Sequence, residues 1–370
     1  MSKIEINDTT LRDGEQAAGV AFTLAEKVAF ATLMDAIGVQ ELEIGIPAMG
    51  GTEIEAIREI VNLGLKTKLT SWNRALRSDL DASLACGVQR VHISIPVSEI
   101  QIAVKFQGNY QLVLTRLKET INYGCDRGLY ISVGGEDSSR ADMNFLLDVA
   151  LAAQDWGASR FRFCDTVGIL DPLTTYNKVK HLVNELTIPV EMHTHNDFGM
   201  ATANALAGIQ AGAKSVNTTV NGLGERAGNA ALEEVVMALK KIYGINTGVS
   251  TNRFKEISEF VAQASGCDVP PWKAIVGKNA FTHESGIHGH GVLKNPATYE
   301  PFNPEEVGTQ RCLVVGKHSG KHLVNNLLQQ YGITLSLEEM SSLVDAVREL
   351  SIKLKRSLTP EELMNLIPNH

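Results

Sequence analysis

Two histidines one residue apart, His193-Thr194-His195, close a short apolar run that reads as a β-strand. On an extended chain, residues two apart point to the same face, so both imidazoles can face one site. A second polar cluster, DTTLRDGEQ, follows the first strand-like run and supplies Asp8, Arg12, Asp13 and Gln16. Imidazoles and a carboxylate meeting at one mouth would hold a divalent cation with positions left open for a substrate. Further candidates follow other runs: Cys164-Asp165-Thr166-Val167-Gly168, the GGED segment with Glu136, the loop NGLGERAGN with Asn229, and the Gly/His-rich THESGIHGHG with His283, His288 and His290. Nucleotide motifs do not account for the glycines. Gly222, Gly224 and Gly228 miss the dinucleotide spacing by one residue, and Gly277-Lys278 and Gly316-Lys317 lack the Ser or Thr of a P-loop.

The elements that must position these residues alternate regularly. Candidate strands are Ile4–Asp8, Glu41–Gly45, Lys68–Trp72, Arg90–Ile95, Tyr130–Val133, Arg160–Cys164, Pro189–His193 and Ser215–Thr218, with helical spacing between them. The first helix is the clearest: Thr23 and Glu26 form a capping box, and Gly38 supplies a left-handed stop. Eight strand–helix units predict an α/β fold, a (β/α)8 TIM barrel, in preference to an open doubly wound sheet. Barrel enzymes work where strands end, which is where the clusters lie. The barrel is expected over 1–255, followed by a connector or lid over 256–315 and a helical C-terminal region over 316–370. In that last region Ser336/Glu339 and Thr359/Glu362 are capping boxes, and Met340, Leu343, Val347, Leu350 and Leu354 share a face. Pro270-Pro271 and the stretch Gly277–Gly291 read as an ordered connector, not a strand–helix unit.

The composition is that of a folded chain. Its 370 residues are 44% hydrophobic and 21% charged, and the net charge of −8 gives no bulk attraction for nucleic acid or anionic membrane. The five scattered cysteines include no CxxC and read as reduced thiols. With no signal-like start and no spanning apolar run, the expected location is cytoplasmic.

Together, DTTLRDGEQ, HTHNDFG, NTTVNGLGERAGN and THESGIHGHG resemble the alpha-isopropylmalate synthase/homocitrate synthase family of metal-dependent Claisen enzymes. DTTLRDGEQAAGVAFTLAEK and ELEIGIPAMG look most like its nitrogen-fixation type. The resemblance implies condensation of acetyl-CoA with a 2-oxo acid, here 2-oxoglutarate, giving homocitrate and CoA for the nitrogenase cofactor. It implies metal ligation by Asp13, His193 and His195, with Asn229 direct or through water. Mg²⁺ or Mn²⁺ is favoured, with Zn²⁺ and Fe²⁺ open. It gives Arg12 to the developing alkoxide, Gln16 to its surroundings and Thr166 to the substrate carboxylate. His288, paired with Glu136, becomes the base that deprotonates the acetyl methyl, with Tyr299 as auxiliary. Dimers with shared active sites are also implied.

The resemblance has a gap. The lysine-pathway enzymes hold the distal carboxylate with an Arg and a Ser where this chain has Ser132 and Gly134, and with a His where it has Leu76. Arg74, Arg77, Asn73 and Ser94 are the candidate replacements. Family rivals are 2-isopropylmalate and citramalate synthases, although the chain leaves little room for their C-terminal feedback domain. A hydroxymethylglutaryl-CoA-type lyase is disfavoured because GLGERAGN has no cysteine, and a non-catalytic barrel because the polar set is intact. His92, His181, His318, His322 and His370 read as structural or surface residues.

Overall fold

The computed structural model describes residues 4–367. His370 lies outside them. Eight parallel strands close into a barrel: β1 (Glu5–Asp8), β2 (Glu41–Glu43), β3 (Lys68–Arg74), β4 (Arg90–Pro96), β5 (Tyr130–Glu136), β6 (Arg160–Asp165), β7 (Val190–Thr194) and β8 (Ser215–Thr218). Closure is made by β1 on β8, in register from Glu5 opposite Ser215 to Asp8 opposite Thr218. The surrounding helices are α1 (Leu24–Ile37), α2 (Gly51–Asn62), α3 (Arg77–Ala85), α4 (Glu99–Phe106), α5 (Tyr110–Cys125), α6 (Met143–Asp155), α7 (Pro172–Glu185), α8 (Ala201–Ala211), α9 (Leu232–Lys241) and α10 (Phe254–Ser265). The barrel is thus as expected. The Thr23/Glu26 capping box forms, and Gly38 ends α1 at φ 83°. Strand β5 runs three residues beyond the expected Val133, because Gly134, Gly135 and Glu136 keep pairing with Ser94, Ile95 and Pro96.

The barrel interior is ionic. Glu41 and Glu43 on β2, Arg160 and Arg162 on β6 and Glu191 on β7 are all at most 2% exposed. Arg160 reaches Glu41 at 2.8 Å and Glu191 at 3.2 Å, while Arg162 reaches Glu43 at 2.7 Å. The alternate residues Leu42, Phe161 and Val190 are buried as well, as expected for strands covered on both faces. Each charge inside has partners, the condition under which buried ions are tolerated.

The chain divides into two compact units at Asp268/Val269. Helix α10 therefore belongs to the barrel unit, beyond the boundary at 255 drawn from sequence, and residues 269–370 form one unit. That unit contains β9 (Thr282–His283), α11 (Gly286–Lys294), β10 (Cys312–Leu313), α12 (Lys321–Gln330), α13 (Leu337–Leu354) and α14 (Pro360–Met364). Its core joins Val315, Leu323, Leu328, Leu343, Val347 and Leu363. Both expected capping boxes form. The Gly/His-rich stretch, expected as an ordered connector and not a strand–helix unit, instead carries β9 and α11. A Cβ on Gly289 would lie 2.9 Å from Leu323, so the glycine lets α11 pack closely on α12. No described helix is long and apolar enough to cross a membrane.

Candidate metal centre and active site

The turn after β1 brings Asp13 back over the barrel mouth. The amides of Arg12, Asp13 and Gly14 all donate to Thr9 O, at 3.1, 2.9 and 3.1 Å. Asp13 Oδ2 then lies 3.5 Å from His193 Nε2 and 3.8 Å from His195 Nε2, and the two Nε2 atoms are 3.1 Å apart. All three residues are buried. Asn229 Nδ2 donates to Asp13 Oδ1 at 2.7 Å, while Asn229 Oδ1 has no hydrogen-bond partner and is buried. Asn229 is carried there by the glycine-rich loop. Its amide donates to Gly222 O at 2.9 Å, and it bridges the backbone of His195. A Cβ on Gly224 would fall 2.1 Å from Asn229 Nδ2, so the loop is glycine-rich because its backbone approaches the site closely.

Protonation suits a cation. Burial opposes the charge on Asp13, but the Arg12 guanidinium beside it, helped by the hydrogen bond from Asn229, outweighs burial and holds the carboxyl well below its ordinary range. Burial lowers His193 to about 3 and lowers His195 as well, so both rings are neutral at pH 7 despite the neighbouring Asp13. His193 Nδ1 donates to Asn217 Oδ1 at 2.7 Å, and Asn217 is oriented by donating its own Nδ2 to Asn7 O at 3.0 Å. The His193 Nε2 lone pair therefore faces Asp13 and His195. An ionised carboxylate, two neutral imidazoles and an unpartnered amide oxygen make a donor set that fits a divalent metal.

Arg12 joins this set to the ionic interior. Its Nη1 donates to Asp13 at 2.9 Å and to Gln16 Oε1 at 3.2 Å, its Nε donates to Glu43, and its guanidinium lies 5.8 Å from the centre of the Trp72 ring. The role of Glu43 in holding Arg12 was not read from the sequence. The signal was present in the period-two charges of Glu41-Leu42-Glu43 and Arg160-Phe161-Arg162, which mark inward-facing strand positions.

Thr166, after β6, accepts the Asp137 amide at 2.8 Å. Glu136, at the end of β5, has both oxygens 2.7 Å from Lys105 Nζ on α4. Nothing in the spacing marks Lys105, which lies 31 residues earlier. His288 and Tyr299 belong to the second unit, where their rings stack with centroids 4.1 Å apart. His283 is distinct from them, because its Nε2 is 3.1 Å from Glu300, which also binds Arg311.

Of the candidate carboxylate readers, three are engaged elsewhere. Arg74 makes a two-pronged bond to Asp79, Arg77 lies 3.8 Å from Glu119, and buried Asn73 accepts the Ser83 hydroxyl at 2.7 Å. Ser94 alternates with buried His92 on β4 and shares its inward face. A Cβ on Gly134 would lie 2.5 Å from His92 Nε2, so His92 fills the space that a side chain at 134 would need. His92 Nδ1 is 3.1 Å from Ser132 Oγ, and burial holds the ring neutral.

Comparison with known proteins agrees with this architecture. The HMGL-like family model matches residues 3–261, and the model described as homocitrate synthase post-HMGL domain-like matches residues 275–355. Homocitrate synthase 1 of Nostoc sp. is 71% identical over 99% of this chain and 97% of its own. The 2-isopropylmalate synthase 2 of Caldanaerobacter subterraneus subsp. tengcongensis is 56% identical over 98% of this chain and 94% of its own. Among solved structures, the HMG-CoA lyase from Brucella melitensis matches with a TM-score of 0.65 at 18% identity, covering 72% of this chain and all of its own, a likeness of fold alone.

Proposed function

The chain belongs to the HMGL-like family, with a homocitrate synthase-type segment behind the barrel, and on that premise we propose that it is a homocitrate synthase. The reaction joins the methyl carbon of acetyl-CoA to the keto carbon of 2-oxoglutarate, and water then cleaves the thioester to release homocitrate and CoA. The observation that carries this reading is the buried Asp13, His193 and His195 cluster in a chain that is 71% identical to a homocitrate synthase.

Asp13, His193 and His195 would hold the metal, with Asn229 Oδ1 beside them. Mg²⁺ or Mn²⁺ suits the oxygen donors, and the imidazoles also admit Zn²⁺ or Fe²⁺. When bound, a divalent cation supplies Lewis-acid polarisation of a keto carbonyl. Arg12, locked in place by Asp13 and Glu43, presents its fixed positive charge where negative charge develops on the keto oxygen. Gln16 steadies that guanidinium, and Thr166 binds the substrate carboxylate. His288 takes the methyl proton on an imidazole nitrogen, with Glu136 as its acidic partner and Tyr299 stacked on it. Ser94 and His92 are the polar groups of the inner wall that remain for the distal carboxylate.

The functional unit in this reading is a cytoplasmic homodimer in which His288 and Tyr299 of one subunit serve the barrel of the other. Its biological use is homocitrate for the nitrogenase cofactor. The test is CoA release, followed by thiol titration, with a panel of 2-oxo acids. The reading expects the highest kcat/KM with 2-oxoglutarate. Higher kcat/KM with 2-oxoisovalerate would favour 2-isopropylmalate synthase, a second reading supported by the 56% identical relative of that name.

A further inference from the structure

The two Gly-Lys pairs that fail as P-loops meet at one cavity in the second unit. Pairing of β9 with β10 sets the chain after Lys278 beside the chain before Lys317, with Thr282 opposite Cys312 and His283 opposite Leu313. Leu358 donates its amide to Val315 O at 2.9 Å, which folds the turn after α13 into a third wall and adds Lys355. The result is an open cavity of about 990 Å³. Close packing explains the glycines: a Cβ on Gly316 would lie 2.5 Å from the Glu284 carboxyl, and one on Gly277 would lie 2.4 Å from Lys273 O.

The charge around this cavity is unbalanced. Lys278, Lys317 and Lys355 line it, and among the described residues none of the three forms an ion pair. The one carboxylate in the described lining, Glu284, already accepts the His318 amide at 3.3 Å and the Ser357 hydroxyl at 2.7 Å. Arg356 is held by Glu362 at 2.7 Å. Two further groups point to a ligand. Ser351 lines the cavity, is 5% exposed, and its Oγ has no hydrogen-bond partner. Trp272 lines it too and is 80% exposed.

Three uncompensated ammonium groups suit phosphate oxygens, and a bare indole suits the face of a base. We infer that this cavity binds a nucleotide carrying two or more phosphates, with its base stacked on Trp272 and its phosphates on Lys278, Lys317 and Lys355. Unlike a P-loop, the site meets phosphate with side chains in place of a cradle of amides. Two sources share this chemistry: the phosphorylated nucleotide end of coenzyme A, a substrate under the function proposed above, and a free nucleoside di- or triphosphate.

Titration of the full chain with coenzyme A, ATP, ADP and inorganic phosphate, by calorimetry and by tryptophan fluorescence, tests the assignment. At least one nucleotide should bind and quench fluorescence. Lys278→Ala/Lys317→Ala should weaken that binding at least tenfold, and Trp272→Phe should weaken it and abolish the quenching. Binding of coenzyme A alone would identify its nucleotide end as the occupant, and equal binding of ATP or ADP would identify a free nucleotide. Nucleotide affinities within twofold of the parent in both variants would overturn the proposal, as would phosphate binding as tightly as every nucleotide. These measurements do not depend on which 2-oxo acid is turned over, so failure here and failure of the proposed reaction remain distinguishable.

Discussion

Asn217 sets the chemistry of His193. By accepting from Nδ1 at 2.7 Å, its side-chain oxygen leaves Nε2 as the ring's free lone pair, aimed at Asp13 and His195. Asn217→Leu should therefore lower affinity for Mn²⁺ by about 10–100-fold, the usual cost of removing a partner that orients a metal ligand. Calorimetric titration of Mn²⁺ into metal-stripped protein checks this. An affinity within twofold of the parent would show that the tautomer is set by something else.

Removing the ligands themselves should separate metal binding from folding. Asp13→Ala and His195→Ala should lose bound metal and activity yet keep a cooperative thermal transition, since barrel packing lies below the mouth. Saturating Mn²⁺ should raise the Tm of the parent but leave both variants unmoved, because only a bound ligand stabilises. Full metal content in both variants would exclude this site.

Arg12 offers a different separation. Its Nε and Nη1 hold Glu43, Asp13 and Gln16 at once. A lysine carries the charge without the planar fork, so Arg12→Lys should retain metal while kcat falls by about 10²–10³-fold, comparable with loss of an oxyanion donor. Metal analysis alongside steady-state kinetics distinguishes this from loss of the site.

Asp8 should leave a pH signature in stability. Burial raises its carboxyl from 3.8 to about 7, against the hydrogen bonds from Thr10 and Thr218. The folded value therefore lies above the unfolded value of about 3.9. This contribution is fully present below the unfolded value and is lost as pH rises through about 7. Asp8→Asn removes it, so the stability difference between variant and parent should move in the variant's favour by up to about 4 kcal/mol from pH 4 to pH 8. Urea unfolding at the two pH values measures this, and an unchanged difference would place the Asp8 carboxyl in its ordinary range.

Mixing variants tests the shared site. Glu136→Ala and His288→Ala homodimers should each be nearly inactive. Subunit exchange should restore about half of the sites in each mixed dimer, because one site then holds both lesions and the other holds none. Demonstrated heterodimers without recovered activity would mean that each chain completes its own site.

Much of this was legible in the sequence, for local reasons. Eight apolar runs separated by helical spacing specify a barrel, because parallel strands require crossovers. The capping boxes at Thr23, Ser336 and Thr359 depend on side chains three residues apart. The alternation of His193 and His195 places both rings on one face, and the DTTLRDGEQ turn follows the first strand. These relations are all short in sequence.

What only the tertiary structure decided spans long separations. Closure of β1 on β8 brings Asn229 to Asp13 across 216 residues, a meeting that the family resemblance implied but that no local pattern encodes. Lys105 reaches Glu136 because α4 packs on β4, whose end pairs with the end of β5, and His92 fills the space at Gly134 because neighbouring strands are in register. The ionic interior follows the same rule. Glu41, Glu43, Arg160, Arg162 and Glu191 look like surface charges one strand at a time. They become mutual partners only when the sheet closes, since a buried charge is tolerable solely where its counter-charges have been brought inside with it.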